Sequence, residues 1–261
     1  MVLSNVKVIR NKILVKFLQL YHGIEFPGRR LGNDEWVYQW RLDFLTNVLE
    51  KESIVWCKRL IRPGMVAVDV GAHIGYYTRL FSQLVGNSGH VFAFEPCSEN
   101  FAVLSKNLNP KKFPNVHLYN KAVGAENRQG TLFISPGHSN HSLNQGYTKN
   151  MGQEQVEIVS LDSVLYQKGI ERIDFVKIDV EGGEINVLRG MKETLKASPA
   201  LSMLVEFNPA ALQAGGWEPV ELIHQLEDAG FHPKPILADS SLGESIDFSA
   251  TVNLLCRREN V

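Results

Sequence analysis

Apolar positions along the chain fall into two alternating periods, and that alternation predicts a fold before any chemistry is considered. Val66–Val70 is a run of β-favouring residues interrupted only by Asp69, so it reads as a buried strand with an acid near its exit. Gly71 and Gly75 bracket a turn, while Ile74, Tyr77, Phe81 and Leu84 recur at helical spacing. His90–Phe94 predicts a second strand ending in Glu95-Pro96, and Ser98 is placed to cap a helix bearing Phe101, Leu104 and Leu108. Val116–Val123 predicts a third strand. Strands alternating with helices require right-handed crossovers and a parallel sheet.

Thr131–Ile134 and Val156–Val159 are two further short strands, separated by a polar loop of turn formers over 135–147. Ile173–Val180 and Ala200–Phe207 are buried strands, with Ile185, Leu188, Met191 and Leu195 at helical spacing between them. Pro219–Ala229 predicts a helix closed by Gly230. Phe231–Ala238 and Ser249–Leu255 predict an antiparallel hairpin at the sheet edge.

The first quarter has a different pattern. Residues 1–22 carry Lys7, Arg10, Lys12 and Lys16 and no acid, and Val6, Ile9, Ile13, Phe17 and Leu20 share one helical face with Arg10 intruding. That face is expected to cap the core or a partner subunit, with peripheral membrane contact as the alternative. Residues 23–35 read as a loop, and Trp36–Arg62 as helical through Trp40, Phe44, Val48, Val55 and Leu60. The expected organisation is an N-terminal helical cover, 1–62, on an α/β domain, 63–261.

Composition narrows the functional classes. The net charge of −1 supplies no global field for nucleic acid or an anionic membrane, which leaves only a local basic patch to do so. Cys57, Cys97 and Cys256 have neither metal-site spacing nor an even count, which points to a reducing, cytoplasmic setting. No secretory signal is expected, and no run approaches the roughly 20 apolar residues of a spanning helix.

Candidate chemistry gathers at two strand exits. The first turn reads Gly71-x-x-x-Gly75 and lacks the third glycine of a dinucleotide fingerprint. Glu95 follows Gly71 by 24 residues, where a carboxylate accepts both hydroxyls of a ribose. Asp69 needs donors, from the turn or from the ammonium of an amino-acid moiety. Lys177, Asp179 and Glu181 alternate with Val176, Ile178 and Val180, which brings three charges to the next strand's exit. An internal Lys177–carboxylate pair is the structural alternative, and Glu184 suits a first helical turn. His138 and His141, in the polar loop, are expected to be solvated, with a role as base or substrate contact as the alternative.

These residues resemble the FkbM-type methyltransferases, which use S-adenosylmethionine. The matching blocks are 69–78, 93–96 with Asn100, Phe101 and Leu104, 120–124, 160–163, 177–184, 187–190 and 205–206, within about 63–208. His73 stands where the family more often has Asn. The resemblance implies a Rossmann-like class I methyltransferase with a seven-stranded, mostly parallel sheet and an antiparallel last strand. It implies that Asp69, Gly71, Ala72, His73 and Gly75 hold the methionine portion, that Glu95 with Pro96 holds the ribose, and that Ala122 and Val123 flank the adenine. The implied activity is O-methylation of a sugar, glycolipid or secondary-metabolite hydroxyl. Asp179 and Glu181 are the candidate bases, with Glu206 and Asn208 behind them. No metal is assigned, although these four residues offer oxygens that a Mg²⁺ ion takes. A nicotinamide-dependent oxidoreductase and a non-catalytic nucleotide-binding module remain as alternatives.

Overall fold

The computed structural model describes residues 2–26, 41–43, 45–46, 49–136, 140–147, 149 and 151–258, with side chains from residue 10 onward. The chain opens with α1 (Val2–His22) and α2 (Lys51–Leu60), then enters β1 (Val66–Val70), α3 (Tyr76–Val85), β2 (His90–Phe94) and α4 (Ser98–Asn107). It continues through β3 (Val116–Tyr119), β4 (Ala122–Val123), β5 (Arg128–Ile134), β6 (Gly152–Val159), α5 (Leu161–Gln167) and β7 (Phe175–Ile178). The last part holds α6 (Glu184–Arg189), α7 (Lys192–Ala197), β8 (Ser202–Phe207), α8 (Pro209–Ala214), α9 (Pro219–Asp228), β9 (His232–Pro235) and β10 (Val252–Arg257).

Seven strands form one sheet in the order β3-β2-β1-β7-β8-β10-β9. The first five run parallel, and β10 runs antiparallel to both β8 and β9. Alternate residues serve opposite faces. Val68, Val176 and Met203 join one buried cluster, whereas Ala67, Phe175 and Leu204 join the other. Both faces are covered by helices, which is why β1 and β7 are apolar throughout except at their exits. The chain winds outward from β1 to β3 and returns to β7 on β1's other side. Strand order therefore reverses between β1 and β7, where open α/β sheets leave a crevice.

Several elements depart from the sequence reading. The expected strand over 116–123 is two strands in different sheets, since β4 pairs with β6 in a separate β4-β6-β5 sheet. The amide of Asn120 donates to the carbonyls of Glu95 and Pro96, and so turns the chain between them. The expected helix through Ile185 and Leu195 is α6 and α7, broken where Gly190 packs against the Gly124 carbonyl. Cys97, not Ser98, is the N-cap of α4, and Ser98 instead donates its N–H and hydroxyl to Glu154. In α2 the buried residues are Ser53, Ile54 and Cys57, not Val55 and Leu60. Trp36, Trp40, Phe44, Val48 and His138 lie outside the described residues.

The apolar face expected of α1 is likewise not the one that packs. Val15 is buried against Ile24, Phe26, Leu45, Ile74 and Val103, while Ile13, Phe17 and Leu20 are exposed. No helix among the described residues is long and apolar enough to cross a membrane.

One side chain ties the N-terminal segment to the first glycine turn. Asn107 accepts from the Glu25 N–H at 2.7 Å and donates to the carbonyls of Glu25 and Ile74 at 3.0 and 2.9 Å. Asn107→Ala leaves these backbone groups unmatched, a local loss of about 1–3 kcal/mol. Hydrogen exchange should accelerate at residues 24–26 and 72–75, and unchanged exchange there would contradict the clamp.

Candidate active site

A cavity of about 510 Å³ opens at the β1/β7 switch point. Its lining includes Asp69, Gly71, Ala72, His73, Glu95, Pro96, Ala122, Val123, Asp179 and Glu181, which brings both candidate groups to one place. Gly75 is not in that lining. It caps α3 with φ +97°, and a Cβ there would run into Leu104 and Leu108.

The turn after β1 is set by backbone packing. Gly71 has φ +89°, and a Cβ on it would collide with the Asp179 carbonyl, so only glycine lets the two strand exits approach this closely. His73 adopts φ 51°, a left-handed conformation tolerated by both His and Asn among non-glycine residues. The His73 N–H donates to Glu95 Oε2 at 2.8 Å, and the Cys97 N–H donates to Oε1 at 2.9 Å. Burial pushes the Glu95 carboxyl up to about 8 against these hydrogen bonds, which favour its ionised form.

Asp69 is 1% exposed and accepts from the Thr78 hydroxyl at 2.6 Å through Oδ2. Its Oδ1 is shut off from solvent and has no hydrogen-bond partner within the protein. An unmatched buried carboxylate oxygen on a cavity wall is costly unless a ligand donor meets it.

At the β7 exit, Lys177 is 3% exposed and donates to Asp179 Oδ2 at 2.6 Å. The structural alternative for this stretch, an internal Lys177–carboxylate pair, is therefore present. Glu181 has a left-handed backbone, φ 54°, and is buried. Burial, then the charge of Asp179, pushes its carboxyl up to about 8. Glu206 at the β8 exit is pushed well above the usual carboxylate range, chiefly by burial and then by Asp179 and Glu181. Carboxylate oxygens of Asp179, Glu181 and Glu206 lie within 4.8 Å of one another, and Glu206 Oε2 is enclosed without a partner.

Leu49, Glu50, Ser142, Asn144 and Tyr147 were not singled out from the sequence, whereas Asn208 and His141 were. The amide of Asn208 donates to the Tyr147 hydroxyl at 2.8 Å and to Glu181 Oε2 at 3.4 Å, while its Oδ1 caps α8. The Ser142 hydroxyl donates to the Glu181 carbonyl at 2.6 Å, and the Asn144 amide to the Gly182 carbonyl at 3.0 Å. The polar loop is thus fastened over the β7 exit. His141, which lines the cavity, accepts from the Ser135 N–H at 3.1 Å. Leu49 and Glu50 close the cavity from the N-terminal side, tied to Tyr76 and Tyr77 at 2.7 and 2.8 Å. Asn-Pro at 208–209 is a visible helix-start signal; nothing in the local sequence marks Glu50 or Tyr147.

Residues 69–233 match the methyltransferase FkbM domain. The chain is similar to the 2-O-methyltransferase NoeI of Sinorhizobium fredii, 28% identical over 153 residues that cover 52% of this chain and 61% of NoeI. It is also similar to the 31-O-demethyl-FK506 methyltransferase FkbM of Streptomyces tacrolimicus, 28% identical over 161 residues, 51% of this chain and 62% of that protein. The chain thus spans about three-fifths of the length of these relatives. Among solved structures, one described as a candidate rRNA methylase from Clostridium thermocellum aligns with a TM-score of 0.50 at 12% identity. That alignment covers 79% of this chain and 93% of the other, a likeness of fold. With most of its length matched, including both strand exits that form the cavity, the chain belongs to the FkbM methyltransferase family.

Proposed function

We propose that the protein is an S-adenosylmethionine-dependent O-methyltransferase acting on a polyhydroxylated acceptor: a sugar, a glycolipid headgroup or a hydroxylated secondary metabolite. The observation that carries this reading is one cavity lined both by Asp69 and Glu95 and by Asp179, Glu181 and Glu206. Two relatives name an oxygen as the methylated atom, and Asn140, Asn144 and Asn186 line the cavity, which suits an acceptor rich in hydroxyls. The buried thiols of Cys57, Cys97 and Cys256 support a cytosolic setting.

The residues present fit the cofactor. Asp69 Oδ1 is an acceptor awaiting a donor, which matches the ammonium of a methionine moiety. Glu95, held by the His73 and Cys97 N–H groups and by the Asn100 side chain, lines the cavity as a carboxylate suited to ribose hydroxyls. Ala122 and Val123 offer an apolar flank for a purine, and the 71–73 backbone borders the methionine end. When bound, S-adenosylmethionine supplies a methyl group already activated by its sulfonium. The chain must then position the acceptor oxygen and exclude water, which is worth roughly 7–11 kcal/mol.

Glu181 is assigned as the base that takes the acceptor's proton. Asp179 is committed to Lys177, whereas Glu181 is only oriented by Asn208 and Tyr147 and holds a raised pKa suited to proton transfer. The acidic cluster supports a second reading, because three convergent carboxylates with one unmatched oxygen fit a Mg²⁺ ion supplying Lewis-acid activation.

Isothermal titration tests the donor site. S-adenosylhomocysteine should bind and NAD should not, and Glu95→Ala should weaken binding by about tenfold or more, the loss of charge-assisted hydrogen bonds. Absence of heat with S-adenosylhomocysteine would refute the methyltransferase reading. For the base, the raised pKa means that Glu181 is protonated below about pH 8 and gains its basic form as pH rises. The rate should climb to about pH 8 and level off. Glu181→Gln should cut kcat by about 10²–10⁴-fold and abolish that climb while sparing S-adenosylhomocysteine binding. Full turnover in EDTA would favour the base, whereas loss restored by Mg²⁺ would favour the cation.

A further inference from the structure

Helix α1 has two unlike sides. Val15, 2% exposed, and Leu18 pack against the body of the protein. On the far side Ile13, Phe17, Leu20 and Tyr21 are 67, 63, 78 and 76% exposed, and Leu14 is 38% exposed. At 3.6 residues per turn, these five side chains share one arc of about 120°, with Arg10 inside it and Lys16 beside it. Single exposed apolar residues are ordinary on a protein surface; a contiguous row of five along one helix is not.

The charges around this row share one sign. Residues 1–22 hold four basic side chains and no acid, in a chain whose net charge is −1. At the helix's C-terminal end a second cavity of about 150 Å³ is lined by His22, Arg79, Lys106 and Lys112, with no carboxylate in its lining. Lys106 is paired with Glu25 at 3.0 Å, and Arg79 lies over the Phe113 ring at 5.7 Å.

We propose that α1 seats the protein on an anionic phospholipid surface, with its apolar arc at the headgroup–acyl boundary and Arg10 and Lys16 facing lipid phosphates. The helix is too short on apolar residues to span, so it lies in the interface plane. Charge complementarity selects lipid over a second copy of the chain. A two-fold contact through this face would set one helix with four basic side chains and no acid against another of the same charge. The proposal does not depend on the methyl-transfer reading, because it is tested by binding alone.

The test is sedimentation of the full chain with vesicles of phosphatidylcholine, with or without one-third phosphatidylserine. Binding should be about tenfold or more stronger to the anionic vesicles and should weaken with salt, as basic residues at a charged surface dictate. The pairs Phe17→Glu with Leu20→Glu, and Arg10→Glu with Lys16→Glu, should each reduce it by about tenfold or more, with S-adenosylhomocysteine titration unchanged. Failure to bind, equal binding to both vesicle types, or insensitivity to both pairs would overturn the proposal. A dimer in light scattering that Phe17→Glu with Leu20→Glu dissociates would overturn it in favour of a self-interface.

Discussion

The ammonium of Lys177 is buried in the sheet, held at 2.6 Å by Asp179 and set opposite Asp69 by the register of β1 against β7. Burial acts to lower its pKa, but the charges of Asp179, Glu50 and Asp69 more than offset this and keep it protonated. It also lies 4.7 Å from the centre of the Tyr77 ring, whose hydroxyl donates to Glu50, and Glu50 accepts from Asn253 on β10 at 2.9 Å. One cation therefore ties two central strands to the N-terminal turn and the antiparallel strand. Removing one member of such a network leaves an uncompensated buried charge, a loss of about 3–5 kcal/mol.

The same cation divides the labour among the acids. Asp179 is paired with Lys177, while Glu181 and Glu206 share a small volume and are pushed toward their protonated forms, first by burial and then by the charge of Asp179. Glu95, though equally buried, is held by two backbone N–H groups from the turn and the β2 exit. Burial pushes both sets up, Glu95 to about 8 like Glu181, but fixed N–H donors oppose the shift in the first environment and neighbouring acids add to it in the second. The first suits holding hydroxyls, and the second suits taking a proton or a divalent cation.

What was legible in the sequence was local. The β1–turn–α3 unit, the acids at the strand exits and the parallel core follow from periodicity and glycine placement alone. The split at Asn120 was not legible, because 116–123 is nearly all strand-favouring and the turning force comes from carbonyls 24 and 25 residues away. The Glu181–Asn208–Tyr147 link spans 27 and 61 residues and is visible only once β7, β8 and the polar loop converge. For α1, periodicity correctly found an apolar face but could not say what covers it; the core is reached through Val15 and Leu18 instead.

The most direct test of the shared cavity is a crystal structure of the complex with S-adenosylhomocysteine. The account requires the ribose hydroxyls on Glu95, the amino-acid ammonium on Asp69 Oδ1, and the sulfur facing Glu181 across the cavity. A ribose bound away from Glu95, or a sulfur turned from the Asp179–Glu181 exit, would contradict it.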